Sequence, residues 1–128
     1  MLKLFRAMLK DHDGAPLCGD EANMLGVRVP VDVKPDQADN VHPGARGMSV
    51  TPSNPARLPP HLRPVQLGGF GALPVYGIED GHIGERLAFF PDPRKPEIHG
   101  VIHPSSTMPL ADYRAALAAT KPVWRVVE

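Results

Sequence analysis

Proline sets the strongest limit on how this chain can fold, since 16 of its 128 residues are proline and another 12 are glycine. The proline share is more than twice the ordinary value of about 5%. Proline has no amide donor, so it disrupts helix interiors and central strands. These prolines are interleaved with apolar segments such as "ALPVYGI" and "ERLAFFPDP". The composition therefore predicts a loop-rich fold with short strands, not a disordered chain.

Length, charge and cysteine content narrow the class of protein. A chain of 128 residues predicts a single domain over residues 1–128. Its 14 basic and 14 acidic residues cancel without a basic stripe, which argues against nucleic acid as a partner. A lone cysteine, Cys18, excludes an internal disulfide and fits a reducing compartment such as the cytoplasm. No apolar run reaches the ~20 residues of a membrane span. The closely spaced charges of the first ten residues do not fit a signal peptide, so delivery into another cell would need a route without one.

The apolar patterns predict an α+β fold with more strand than helix. Residues 2–9 alternate as in a strand, with a short helix as the competing interpretation, and residues 25–33 read as an extended edge segment because of Pro30. Residues 52–64 are too rich in proline for more than 3₁₀ turns or polyproline II. The main helix is predicted at 109–120, where proline suits the first turn. Further strands are predicted at "MSVT", "LPVYGI", "RLAFF", "HGVIHP" and "PVWRVV".

The two histidines of "HGVIHPSSTM" raise the question of a metal site. His99 and His103 would share one face of a strand at about 13 Å, since a strand rises ~3.3 Å per residue. One ion cannot bridge that distance, and Pro104 argues against the helix that would bring them together. The spacing therefore predicts no metal.

Other polar residues allow two interpretations each. Arg6 lies within an apolar strand, where it is either an exposed arginine of an edge strand or a guanidinium that grips phosphate and ribose. Ser49 heads a short strand and is either a turn serine or a site residue, and Thr51 would share its face. Tyr76 either packs in the core or stacks on a ligand ring. None of the common nucleotide-binding or hydrolase motifs occurs.

Several local patterns, taken in order, resemble one family of small antibacterial toxins. They are Phe5-Arg6-Ala7, "GMSV" at 47–50, "IGERL" at 83–87, and the run from His99 to Met108. In this combination the chain resembles the type VI secretion effector toxins whose domain is related to ADP-ribosyltransferases. The resemblance spans nearly the whole chain and is weakest over residues 52–64 and at the C-terminus.

The resemblance implies an ADP-ribosyltransferase-like fold, a small split β-sheet with one main C-terminal helix, and NAD as substrate. Arg6, Ser49 and His99 are then the catalytic residues and would line one cleft. Arg6, Ser49, Thr51 and Tyr76 would contact NAD, whose glycosidic bond breaks through an oxocarbenium-like transition state. The partners implied are an unidentified macromolecular target and a cognate immunity protein or antitoxin that covers the cleft.

One departure from the family pattern concerns the late glutamate that usually stabilises the oxocarbenium ion. No Gln-x-Glu or Glu-x-Glu motif occurs, and Glu97 is the nearest substitute in sequence. ADP-ribosyl transfer and simple NAD hydrolysis therefore both stay open. So do two other classes, a non-enzymatic binding domain and an RNA-directed enzyme that uses the same cleft.

Overall fold

The computed structural model describes residues 1–127, in which short strands outnumber the single α-helix. The first four strands are β1 (Lys3–Ala7), β2 (Asn40–Val41), β3 (Met48–Pro52) and β4 (Val75–Glu79). They are followed by β5 (Leu87–Pro91), β6 (Gly100–Pro104), β7 (Met108–Pro109), α1 (Leu110–Ala119) and β8 (Arg125–Val126). Three 3₁₀ turns, Pro55–Arg57, Pro60–Leu62 and Val65–Leu67, lie between β3 and β4, the first two within the proline-rich residues 52–64.

Six of the strands form one antiparallel sheet in the order β5-β6-β3-β1-β4-β8, and β2 pairs with β7 beside it. The prediction of an α+β fold with one main C-terminal helix is confirmed. The helix begins one residue later than predicted and ends one residue earlier, directly after Pro109 and before Thr120.

The sheet opens along the length of β3, because this strand changes neighbours halfway. Its first half, Met48–Val50, pairs with β6. Its second half, Thr51 and Pro52, pairs with Phe5 and Leu4 of β1. Beyond Phe5 the strands β1 and β3 are no longer paired, so the backbone of Ser49 on that side has no strand partner. The gap is the place where Arg6 lies.

Each face of the sheet has its own apolar cover. The face that we call the helix face packs against α1 and forms the main core, with Leu4, Met48, Tyr76, Ile102, Tyr113 and Leu117 among its buried residues. The opposite face, which we call the proline face, holds the smaller cluster of Phe5, Ala7, Val75 and Leu58. Leu58 and Leu62 come from the proline-rich residues 52–64, and Leu62, Leu67 and Leu73 pack against that cluster. The connection between β3 and β4 therefore covers the part of the proline face that β1 and β4 form.

Two sequence-based expectations are corrected by the structure. Residues 25–33 do not form the predicted edge strand: Leu25 makes an isolated bridge with Cys18, and residues 29–32 form a turn. The Arg28 side chain and amide both bond to the Asp32 carboxylate there. The predicted strand "PVWRVV" shrinks to Arg125–Val126 because Lys121–Val123 is a 3₁₀ turn. The competing helix over residues 2–9 does not form; β1 is a strand. Among residues 1–127, α1 is too short to cross a membrane and no other helix is longer.

Candidate functional site

Arg6 is a buried arginine whose guanidinium is bonded to backbone carbonyls. Its side chain points to the helix face, since Arg6 lies opposite the core residue Tyr76 in the β1–β4 pair. Nη1 donates to the Ser49 carbonyl oxygen at 2.8 Å, and Nη2 donates to those of Ala22 and Met24, both at 2.9 Å. Nε donates to the Met24 oxygen as well, at 3.2 Å. The guanidinium thus occupies the gap between β1 and β3 and ties the 22–24 loop to the sheet.

These contacts revise the interpretation of Arg6 as an exposed residue of an edge strand. The residue is only 7% exposed, and β1 lies between β3 and β4 in the middle of the sheet. Burial lowers the pKa of Arg6 to about 10, so the group still carries its charge at neutral pH. Because four of its five N–H groups already donate to carbonyls, it has little capacity left to grip a phosphate.

Gly47, the first residue of the "GMSV" motif, is required by close packing. A Cβ at this position would clash with the Ile102 carbonyl oxygen and lie 3.0 Å from the Tyr113 hydroxyl oxygen. That hydroxyl donates to the Ile102 carbonyl at 2.6 Å and accepts from the Met48 amide at 3.1 Å. The motif glycine therefore makes room for a tyrosine that bridges β3 and β6.

Ser49 lies on the proline face of β3 and is half-buried. It pairs with Val101 of β6, and Val101 pairs in turn with Phe90 of β5, so these three side chains share one face. Thr51 has the same orientation by strand alternation but is only 4% exposed beside Phe5. Of the two hydroxyl residues, Ser49 is the more accessible.

His99 stands directly before β6 and pairs with the carboxylate of Asp92, which directly follows the neighbouring strand β5. The Asp92 amide donates to the His99 carbonyl oxygen at 3.0 Å, which extends the β5–β6 ladder by one residue pair. The imidazole Nδ1 lies 3.1 Å from Asp92 Oδ2. A hydrogen bond from the Arg94 amide, followed by the His99 contact, lowers the pKa of Asp92. At neutral pH this side chain is therefore an ionised carboxylate.

A cavity of about 120 Å³ adjoins this pair. Its lining includes His99, Asp92, Phe90, Val101 and Ala45. Extending the β3–β6 register places His99 opposite Thr51, one same-face step from the Ser49–Val101 pair. Ser49, His99 and Asp92 are thus on one face of adjacent strands. The Arg6 side chain points to the opposite face, and its hydrogen bond to β3 goes to the Ser49 carbonyl.

His103 supports the cavity without lining it. Its Nδ1 accepts a hydrogen bond from the Gly44 amide at 3.0 Å, and its ring meets Phe90 edge-on at 5.7 Å. Burial lowers the pKa of His103, which favours the neutral ring that this acceptor role requires. The histidine thereby holds the loop that brings Ala45 to the cavity.

Tyr76 packs in the core, which is one of the two interpretations that its sequence allows. It is fully buried, and its hydroxyl donates to the Gly14 carbonyl oxygen at 3.0 Å. Burial also raises the pKa of the Tyr76 phenol. Its ring is part of the helix-face core, away from the face that carries Ser49.

A larger cavity of about 590 Å³ lies at the other end of the sheet, where β4 meets β8. Phe5, Gly77, His82 and Arg125 are among its lining residues. None of the five predicted site residues lines it. This cavity is the larger of the two, but the smaller one is lined by His99, and we place the candidate site there. Ser49 lies on the same face of the sheet, one strand away, and does not line the smaller cavity.

Sequence reasoning missed Asp92 as the carboxylate partner of His99. The sequence predicts the strands "RLAFF" and "HGVIHP" but not their pairing, because the long loop between them leaves the register open. Glu97, the substitute proposed from sequence, is exposed in that loop, whereas Asp92 makes the contact. Within residues 1–127, no group of three or more histidine, cysteine, aspartate or glutamate side chains is arranged to hold a metal ion.

Comparison with known proteins finds no relative of this chain. No protein-family model matches the chain, and no curated protein or solved structure matches it either. The interpretation of the site therefore rests on its own residues.

Proposed function

We propose that this chain is an antibacterial toxin domain of the ADP-ribosyltransferase-like class, acting on NAD in the cytoplasm of a target cell. The observation that carries the proposal is the adjacency of the motif strands. The segments with Phe5-Arg6-Ala7, "GMSV" and "HGVIHP" are far apart in sequence, yet they are the neighbouring strands β1, β3 and β6. In this arrangement β3 and β6 bring Ser49 and His99 to one face of the sheet, and Arg6 of β1 holds the Ser49 carbonyl from the other face.

The proposed chemistry uses Ser49, His99 and Asp92 on the proline face. Breaking the bond between nicotinamide and ribose builds positive charge on the sugar, which an ionised carboxylate stabilises. Asp92 supplies that charge in place of the missing late glutamate, and His99 orients it through the 3.1 Å contact. Ser49 would position the ribose from the adjacent strand.

The size of the cavity supports a ring-sized occupant. A cavity of about 150 Å³ can hold benzene in another protein, so 120 Å³ is on the scale of one aromatic ring. Nicotinamide would insert beside Phe90, and the rest of NAD would lie along the strand face outside the cavity. Arg6 becomes a positioning residue, because it fixes the Ser49 carbonyl and not the phosphates.

A cognate immunity protein or antitoxin would neutralise the domain by covering the cavity next to His99. His99 is partly exposed and Asp92 lies at the rim, in the loop after β5. A partner seated there would block entry of the ring without unfolding the domain.

Expression in the bacterial cytoplasm tests the proposal. The wild-type chain should arrest growth, whereas Ser49→Ala, His99→Ala and Asp92→Asn should permit growth at equal protein level. Ser106→Ala and His61→Ala change exposed residues outside the cavity and should stay toxic. A harmless wild-type chain would instead favour a non-enzymatic binding domain.

A second measurement separates the two enzymatic classes. Purified wild-type protein is incubated with NAD in one reaction and with total RNA in another. Release of nicotinamide is the expected result, and RNA cleavage without nicotinamide release would contradict the proposal. Loss of activity in His82→Ala would move the site to the larger cavity at β4 and β8.

A further inference from the structure

A second group of polar side chains lies apart from the His99 cavity, where β2 meets β7. The pairs Asn40–Pro109 and Val41–Met108 place His42 and Thr107 opposite one another at the next position. His42 Nδ1 is 2.8 Å from Thr107 Oγ1, and His42 Nε2 is 2.7 Å from Asp36 Oδ2. A hydroxyl, an imidazole and a carboxylate are therefore joined in series at hydrogen-bond distance.

The directions of these hydrogen bonds follow from the charge of Asp36. Hydrogen bonds from the Asn40 amide and from His42 lower the pKa of Asp36, so its carboxylate is ionised at neutral pH and only accepts. Nε2 of His42 must then carry a proton. In the neutral ring Nδ1 is left as an acceptor, and the Thr107 hydroxyl donates to it. This is the relation of nucleophile, base and orienting carboxylate in hydroxyl-based acyl transfer.

The His42 contacts contribute little to the stability of the fold. Asp36 Oδ1 already accepts from the Ala38 and Asn40 amides, which closes the turn without His42. His42 and Asp36 have side chains 52% and 40% exposed, and exposed charged contacts contribute about 1 kcal/mol or less. The backbone pairing of β2 with β7 already holds the two segments together.

A cavity of about 330 Å³ opens beside this group. His42 lines it, together with Lys34, Arg46, Pro43 and Gly44. Thr107 and Asp36 do not line it and adjoin it through their contacts with His42. The cationic side chains of Lys34 and Arg46 favour a substrate that carries a negative charge. The volume lies at the lower end of the range of small-molecule sites.

We propose that Thr107, His42 and Asp36 form a second catalytic site, which hydrolyses small esters that bear an anionic group. Thr107 Oγ1 attacks the ester carbonyl while its proton moves to His42 Nδ1, and the leaving alkoxide takes that proton as the C–O bond breaks. Water then attacks the acyl-threonine with His42 as base, which releases the carboxylic acid and restores the hydroxyl. Lys34 and Arg46 hold the anionic end of the substrate.

The test uses the purified full chain with 4-nitrophenyl acetate and the anionic 4-nitrophenyl hemisuccinate. The wild-type protein should release 4-nitrophenol from the hemisuccinate at least tenfold faster than Thr107→Val, His42→Gln and Asp36→Asn. Thr107→Ser should keep most of the activity, as should the controls Ser106→Ala and His61→Ala. Lys34→Met should reduce hydrolysis of the hemisuccinate more than that of the acetate.

Mass spectrometry of the protein after mixing with ester identifies the nucleophile. The expected adduct is on Thr107. An adduct on a lysine, or equal hydrolysis by wild type and folded Thr107→Val, would overturn the proposal. Thermal unfolding of each variant shows that it is folded, and Thr107→Val keeps the side-chain volume. Because the NAD reaction uses different residues, Thr107→Val should leave nicotinamide release unchanged, and the two activities fail independently.

Discussion

Replacement of Arg6 by methionine should destabilise the fold by about 3 kcal/mol. Methionine keeps an unbranched apolar chain, but the carbonyls of Ala22, Met24 and Ser49 lose their donor. A buried group left without a partner costs about 1–3 kcal/mol, so three of them cost about 6 kcal/mol. Part of this is returned, because burial of the charged guanidinium, which lowers its pKa to about 10, itself costs about 3 kcal/mol.

Urea unfolding followed by fluorescence of the single tryptophan measures this loss. Trp124 is 3% exposed in the folded chain, so its emission should shift when the core opens. The Arg6→Met midpoint should fall with little change in the slope, and the melting temperature should drop by roughly 10 °C. Arg6→Lys should also be destabilised, because one ammonium cannot reach three carbonyls. A loss below about 1 kcal/mol in Arg6→Met, together with loss of toxicity, would refute the positioning role and restore Arg6 as a ligand-binding residue.

Three further substitutions test the packing and the electrostatics of the fold. Gly47→Ala should cost about 1–3 kcal/mol of stability, since the new methyl group meets backbone and the Tyr113 hydroxyl; an unchanged urea midpoint would contradict this. Tyr113→Phe should cost about 2 kcal/mol because a buried amide and carbonyl lose their bridge, and a melting temperature equal to wild type would count against it. The Lys121 contact lowers the pKa of Asp11 below its ordinary value of 3.8, so the native state holds fewer protons there than the unfolded state, and stability falls as the pH falls below 3.8. Lys121→Met should flatten that fall between pH 4 and pH 2 in urea titrations, and an unaltered slope would show that the pair is not coupled to folding.

The elements that could be predicted from sequence are those with a strong local pattern. β3, β4, β5 and β6 each coincide with a short apolar run that has glycine or proline at or near its ends, and β1 coincides with the alternating apolar run at the start of the chain. The helix was predicted from proline at its start and its apolar spacing. The run over 25–33 has the same alternation, yet Arg28 and Asp32 bond to each other four residues apart and close a turn. Local alternation alone does not distinguish these two outcomes.

The contacts of the site residues depend on long-range packing and are therefore harder to predict from the sequence. An arginine inside an apolar strand fits either an exposed face or a buried one, and the burial of Arg6 depends on carbonyls from a loop 16 to 18 residues away. The Asp92–His99 pair requires the register of a hairpin with a long loop, which the sequence does not fix. The order of the motif strands in the sheet likewise depends on contacts between distant segments, so no single segment predicts it.

The central proposal is tested most directly by nicotinamide release from NAD. Purified wild-type chain, His99→Ala, Asp92→Asn and the control His61→Ala are incubated with NAD, and free nicotinamide is measured by chromatography. Wild type and His61→Ala should release nicotinamide, while His99→Ala and Asp92→Asn should release at least a hundredfold less, with melting temperatures close to that of wild type. Release that is unchanged in both cavity variants, or absent from the folded wild-type protein, would contradict an NAD-consuming site at His99.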